Sequence, residues 1–177
     1  MKEKKWVKIV FRVLLTGLTA ALIVWIFSNS LQVAESSAEQ SDSFTKKLQN
    51  FFKIIAPDSF IATATGADFD RLEAVVRVIA HFSEFALLGA LAFWTYRAYT
   101  PKKIWMIAPF VGAALVAIID EILQYFTPGR AFQITDVLID WAGVGAGCLF
   151  ALATVAIGTR IGRKRREKQA KKAESEV

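Results

Sequence analysis

The sequence predicts an all-α membrane protein: four transmembrane helices in a bundle, with a short amphipathic helix outside the membrane between the first and second. Three observations predict it. Hydrophobic residues make up 54% of the 177 positions and mean hydropathy is +0.38, too apolar for an ordinary soluble domain. The apolar residues gather into four runs, at about residues 7–31, 72–99, 104–126 and 135–157. Each is long enough to cross a hydrocarbon core of about 30 Å. Basic residues crowd the ends of these runs, as they do beside membrane spans. A single domain over 1–177 is expected, with 160–177 as a basic cytoplasmic tail.

The first run carries Lys2, Lys4, Lys5, Lys8 and Arg12 at its head and Ser28 and Ser30 at its exit. A signal peptide has a similar head, but the length favours an uncleaved span, and either way the segment after it leaves the cytoplasm. From Gln32 to about Thr65 the chain turns polar, with Phe44, Leu48, Phe51, Phe52 and Ile55 at helical spacing opposite Lys46, Lys47 and Lys53. That pattern suits a helix lying on the membrane surface; a helix packed on the mouths of the spans fits it equally. Pro57 and Gly66 punctuate a turn region, and Asp68 or Asp70 is the expected N-cap of the next helix.

The second span ends at Pro101-Lys102-Lys103 in a very short loop, and the third is closed by Thr127-Pro128-Gly129. In the fourth, Gly143, Gly145 and Gly147 form small notches that let neighbouring helices approach closely. Cys148, the one cysteine, excludes an intrachain disulfide and reads as a small packing residue.

Of the 22 Lys and Arg residues, sixteen lie in the N-terminus, the short loop with Arg97, and the C-terminal tail. The other six lie on the segments between. The basic-rich side is expected to be cytoplasmic, with both termini inside. The same clusters suit anionic lipid headgroups. Nucleic acid is not an expected partner, because no aromatic residues interleave the basic tail. The sequence leaves self-association open.

Acids and other polar groups interrupt three of the spans. Arg77, His81 and Glu84 fall within about 60° of one another on the second, at about 100° per residue. Asp120, Glu121 and Gln124 end the third, Arg130 comes next in the loop, and Asp136 and Asp140 open the fourth. Each ionisable group inside a span costs roughly 2.5–3.5 kcal/mol on insertion scales, so such groups face a bundle interior or wet cavity and mark function. With both termini inside, all three spans deliver them to the outer side. The competing reading for each is structural. Arg77 snorkels, His81 is a bonded core histidine, Asp136 opens a helix, and Glu121 turns to the interface while Asp120 points inward. Five acids against two arginines leave a surplus that is protonated or met by a cationic ligand. His and carboxylates ligate metals, but a lone histidine and the lack of a His-Glu-x-x-His spacing argue against catalytic zinc. No metal or cofactor is expected, and no phosphate loop, dinucleotide fingerprint or nucleophile elbow occurs.

The pattern Arg77-Val-Ile-Ala-His81-Phe82-Ser-Glu84-Phe85-Ala-Leu-Leu88-Gly89 resembles the VanZ-like family of bacterial membrane proteins. So do Asp120-Glu121-Ile-Leu-Gln124-Tyr-Phe-Thr-Pro128-Gly129-Arg130, then Asp136, then Asp140 with Gly143, and the Phe27-Ser28-Asn29-Ser30 exit of the first span. Where many members of that family carry asparagine, this chain has Asp140. The resemblance implies a link to low-level resistance to teicoplanin, a lipoglycopeptide. On that footing the expected function is non-enzymatic binding of an amphiphile, a lipoglycopeptide or a lipid-linked cell-wall precursor. The acids and Gln124 would read the head, Arg77 and Arg130 a phosphate or carboxylate, and the glycine notch would admit a chain. Two alternatives stay open. One is a membrane enzyme with Glu84 or Asp120 as base, His81 as acid–base partner and Arg130 on an anion. The other is a proton-coupled carrier.

Overall fold

The computed structural model describes residues 2–100 and 107–174, and the described residues fold into six helices without strands. The long ones are α1 (Lys2–Ser30), α2 (Ala34–Ile55), α4 (Ala67–Tyr99), α5 (Ala108–Tyr125) and α6 (Ile134–Glu174), with a single turn, α3 (Phe60–Thr63), after α2. Helices α1, α4, α5 and α6 are long and apolar enough to cross a membrane. The Pro101–Lys103 loop and the start of the third span at Ile104 lie outside the described residues.

Polar contacts between helices give their directions. The Arg12 Nε donates to the Ala98 carbonyl at 3.0 Å, Thr19 and Thr95 hydroxyls meet at 2.9 Å, and Asn29 Nδ2 donates to Glu84 Oε1 at 3.3 Å. Helices α1 and α4 are therefore antiparallel. The Trp141 indole donates to the Ala114 carbonyl at 3.1 Å, between antiparallel α5 and α6. Helices α4 and α6 run parallel, and small residues set how near they come. A Cβ at Gly143 would run into the Phe82 carbonyl, one at Gly147 into the Ala86 carbonyl, and one at Gly89 into the Val144 carbonyl. Lipid tails offer no hydrophobic gain for bringing spans together, so close backbone packing at small residues supplies the attraction. At Gly143 and Gly147 the notch is filled by α4 and is closed to an acyl chain, contrary to the sequence expectation, while a Cβ at Gly145 would meet the Phe110 ring of α5 at 3.8 Å.

The core is narrow. Ile26, Phe85, Leu88, Ala113, Ala117 and Val144 are buried in one cluster, and Ala90, Phe93 and Ala151 in another. Large residues such as Phe11, Leu14, Leu18, Trp25, Ile79, Leu115, Leu149 and Phe150 stand exposed around it. In water that surface would drive aggregation; in a bilayer it is the face toward lipid.

Two boundaries differ from expectation. Gly66, with φ of 54°, precedes α4 and makes no side-chain cap, while Asp68 and Asp70 sit in the first turn. There they favour the positive end of the helix dipole instead of bonding a terminal N–H. The turn region after Pro57 contains α3, whose first residue follows Ser59; the Ala62 N–H donates to Ser59 Oγ at 3.3 Å. The basic tail continues α6 as one helix, helped by an exposed Arg163–Glu167 pair at 3.6 Å.

Helix α2, 22 residues long, exceeds the short helix expected. Its Ala34 N–H donates to the Pro128 carbonyl at 3.3 Å, and its Gln49 donates to the Ala64 carbonyl at 2.8 Å. Thr45 and Gln49 are buried while Phe44, Phe51, Ile54 and Ile55 are exposed. Leu48 packs against Ala64, Leu72 and Val76, so the helix rests on the bundle through Thr45, Leu48 and Gln49, one of the two arrangements the sequence allowed, and leaves Phe44, Phe51, Ile54 and Ile55 free.

Candidate functional site: a polar cavity at one end of the bundle

The end of α1, the start of α4, the end of α5 and the start of α6 meet at one end of the bundle, and α2 lies across it. Asp120 is 1% exposed. The Ser30 hydroxyl donates to its Oδ1, and Gln124 Nε2, one turn along α5, donates to Oδ2 at 2.8 Å. Thr127 ties the same corner together, its hydroxyl 3.0 Å from the Ser30 carbonyl and 2.9 Å from that of Leu123. Both Asp120 oxygens are therefore met by neutral donors, the requirement for a polar group held out of water.

Asp140 differs. It is fully buried, and neither carboxylate oxygen has a hydrogen-bond partner among the described residues. The one basic side chain within 4.0 Å of it among the described residues is His81, with Nδ1 3.5 Å from Asp140 Oδ1, and that Nδ1 is also unpartnered. Asp140 is on the α6 face packed against α4, one helical turn before the glycines that set the spacing.

A cavity of about 180 Å³ opens beside these groups. Helix α4 lines it with Arg77, His81 and Glu84; α5 and the turn after it contribute Asp120, Gln124 and Arg130. Helices α1 and α2 supply Asn29, Ser30, Ser37, Gln40 and Ser41. A second hollow of about 190 Å³ has Arg77, Gln124, Arg130 and Gln133 on its walls. Neither arginine makes an ion pair within 4.0 Å among the described residues, and Arg130 Nε is buried without a partner. Burial pulls the Arg130 guanidinium below its ordinary value and the positive charge of Arg77 adds to that, while Asp120 and Glu121 oppose it.

Seven of the nine predicted ligand-binding residues are brought together: six line the cavity, and Asp140 lies beside it against His81. The other two stand apart. Glu121 does not turn to the interface, as the structural reading of the sequence had it; it is fully buried, and its Oε2 accepts the Gln133 N–H at 3.0 Å. It thereby holds the chain that leads into α6. Asp136 sits in the first turn of α6, partly exposed, 3.4 Å from the Thr135 hydroxyl, and lines neither hollow. Sequence reasoning left Asn29, Ser30 and the serines of α2 out of the site. Their signal was the polar exit of the first span and the serine-rich stretch after it, which share no spacing with the acids they meet.

The fold and this cavity define a polytopic membrane protein with a polar chamber at one end of a four-span bundle. Residues 15–156 match the VanZ/LLP1 family, and the chain belongs to it. No curated protein and no solved structure matches the chain.

Proposed function

We propose that this protein uses the chamber to bind the polar head of an amphiphile at the outer leaflet of the bacterial cell membrane, with both termini cytoplasmic. The ligand class is one that joins acyl or prenyl chains to an anionic, hydrogen-bonding head: a lipid-linked cell-wall precursor or a lipoglycopeptide antibiotic. Holding such a head would contribute to glycopeptide (teicoplanin) resistance by keeping drug and target apart.

The observation that carries this reading is Arg130, its Nε buried and unpartnered, lining both hollows with the exposed Arg77, and neither within 4.0 Å of a carboxylate among the described residues. An unpaired guanidinium beside a lipid-facing bundle is costly unless an anion meets it, and its fork matches phosphate or carboxylate with two bonds. Gln124, Ser37 and Gln40 offer neutral donors and acceptors beside it. The outer-leaflet position rests on the basic residues gathered at the opposite end of the spans. A polyprenyl diphosphate titrated onto the protein in nanodiscs tests it. Arg77→Ala/Arg130→Ala is expected to weaken binding at least tenfold, since hydrogen bonds to charged groups contribute about 1.5–3 kcal/mol each; unchanged affinity contradicts it.

A second reading is hydrolysis or group transfer on the same head, favoured by His81 and Glu84 lining the chamber together. It requires turnover of the lipid diphosphate by wild type that Glu84→Gln abolishes, and binding without turnover excludes it.

A further inference from the structure

Among the described residues Asp140 has more buried side-chain atoms without a hydrogen-bond partner than any other residue, and His81 stands against it. Asp140 is 0% exposed with both oxygens unpartnered, and His81 Nδ1 is orphaned beside it. A carboxylate so placed needs a proton, a cation or a donor, because burying an uncompensated charge is among the largest costs a fold can carry. Asp120 is a third group beside them. One ligand atom from each of His81, Asp120 and Asp140 lies within 4.8 Å of the other two. The three residues come from α4, α5 and α6.

We propose that His81, Asp120 and Asp140 bind a divalent cation of the Mn²⁺ or Zn²⁺ class. One imidazole and two carboxylates form a mixed nitrogen–oxygen donor set, which suits those ions better than the oxygen-only sites of Ca²⁺ and Mg²⁺. Donors at about 2.1 Å from a tetrahedral ion stand about 3.4 Å apart, so closing the site draws each donor inward by up to about 0.8 Å. Ser30 and Gln124, already bonded to Asp120, would fix its carboxylate from outside, as partners of metal ligands commonly do. The ion also answers the charge surplus. Glu84, Asp120, Glu121, Asp136 and Asp140 outnumber Arg77 and Arg130 by three, and a dication between two of those acids reduces the excess to one. His81 and Asp120 line the chamber, so coordination positions left open by three protein ligands would face it and accept an anionic head or water. The proposal shares the chamber with the headgroup reading but does not rest on it, since ion binding is measured with no amphiphile present.

The test uses the full chain in detergent, stripped with a chelator, then given Mn²⁺ or, separately, Zn²⁺, and passed through a desalting column. Wild type is expected to retain one ion per chain by elemental mass spectrometry, with a raised unfolding temperature. Asp140→Asn and His81→Ala should lose the ion, and Ser30→Ala should weaken it about 10- to 100-fold. Glu39→Gln, exposed on α2, should retain it. Failure of wild type to retain either ion overturns the proposal, whatever the variants do. So does equal retention by well-folded Asp140→Asn and His81→Ala, which would assign the ion to another place.

Discussion

Gly147 of α6 faces the backbone carbonyl of Ala86 on α4 with no room between them for a Cβ. Gly143 faces Phe82 in the same way one turn earlier. Because α4 carries His81 and Glu84 and α6 carries Asp140, this contact sets the separation of the groups at the chamber floor.

Gly147→Ala should therefore destabilise the protein by about 1–3 kcal/mol, the usual cost of forcing atoms into a packed interior. Gly17→Ala, where nothing lies within 4 Å, should be neutral within about 0.5 kcal/mol or slightly stabilising, as a helix favours alanine. Unfolding midpoints in detergent separate the two.

Glu121→Ala removes the acceptor of the part-buried Gln133 N–H, for an expected loss of about 0.5–1.5 kcal/mol. Glu121→Gln keeps an acceptor in place and should cost less. Binding of a lipid diphosphate should survive Glu121→Gln, because the side chain lines neither hollow.

Helix α2 should lie in the membrane interface. Ile54 is 82% exposed among the exposed Phe44, Phe51 and Ile55, an apolar patch that fits the headgroup–acyl boundary. In a Cys148→Ser background, a spin label at Ile54→Cys should collide more with oxygen and one at Lys47→Cys more with a water-soluble nickel complex. Equal accessibility at both positions would lift the helix off the membrane.

The basic residues at one end of the bundle should keep that end cytoplasmic. In intact cells, also without Cys148, an impermeant maleimide should label Asn50→Cys and spare Lys168→Cys. The reverse pattern would turn the chamber to the cytoplasm.

The four spans were legible in the sequence because membrane-length apolar runs survive any tertiary detail, and the convergence of their polar residues followed from the direction of each span together with helical phase. The features that packing decides were not legible. Glu121 was expected in the ligand site, with a turn to the interface as the competing reading from its 100° offset, yet the turn into α6 gives it a backbone N–H to hold. Gly143 and Gly147 read correctly as close-approach positions and wrongly as a lipid groove, since a notch does not reveal which neighbour fills it. Asp68 looked like a cap, but Gly66 in the left-handed region begins the helix. The cluster of His81, Asp120 and Asp140 has no local spacing at all, because its members come from three helices.

The most direct measurement is native mass spectrometry of the protein released from its own membranes, comparing wild type with Arg77→Ala/Arg130→Ala. A co-purifying anionic amphiphile on wild type, absent from an equally well folded double variant, is the predicted result. The same lipid complement on both would contradict the chamber as a headgroup site and leave these residues a structural role alone.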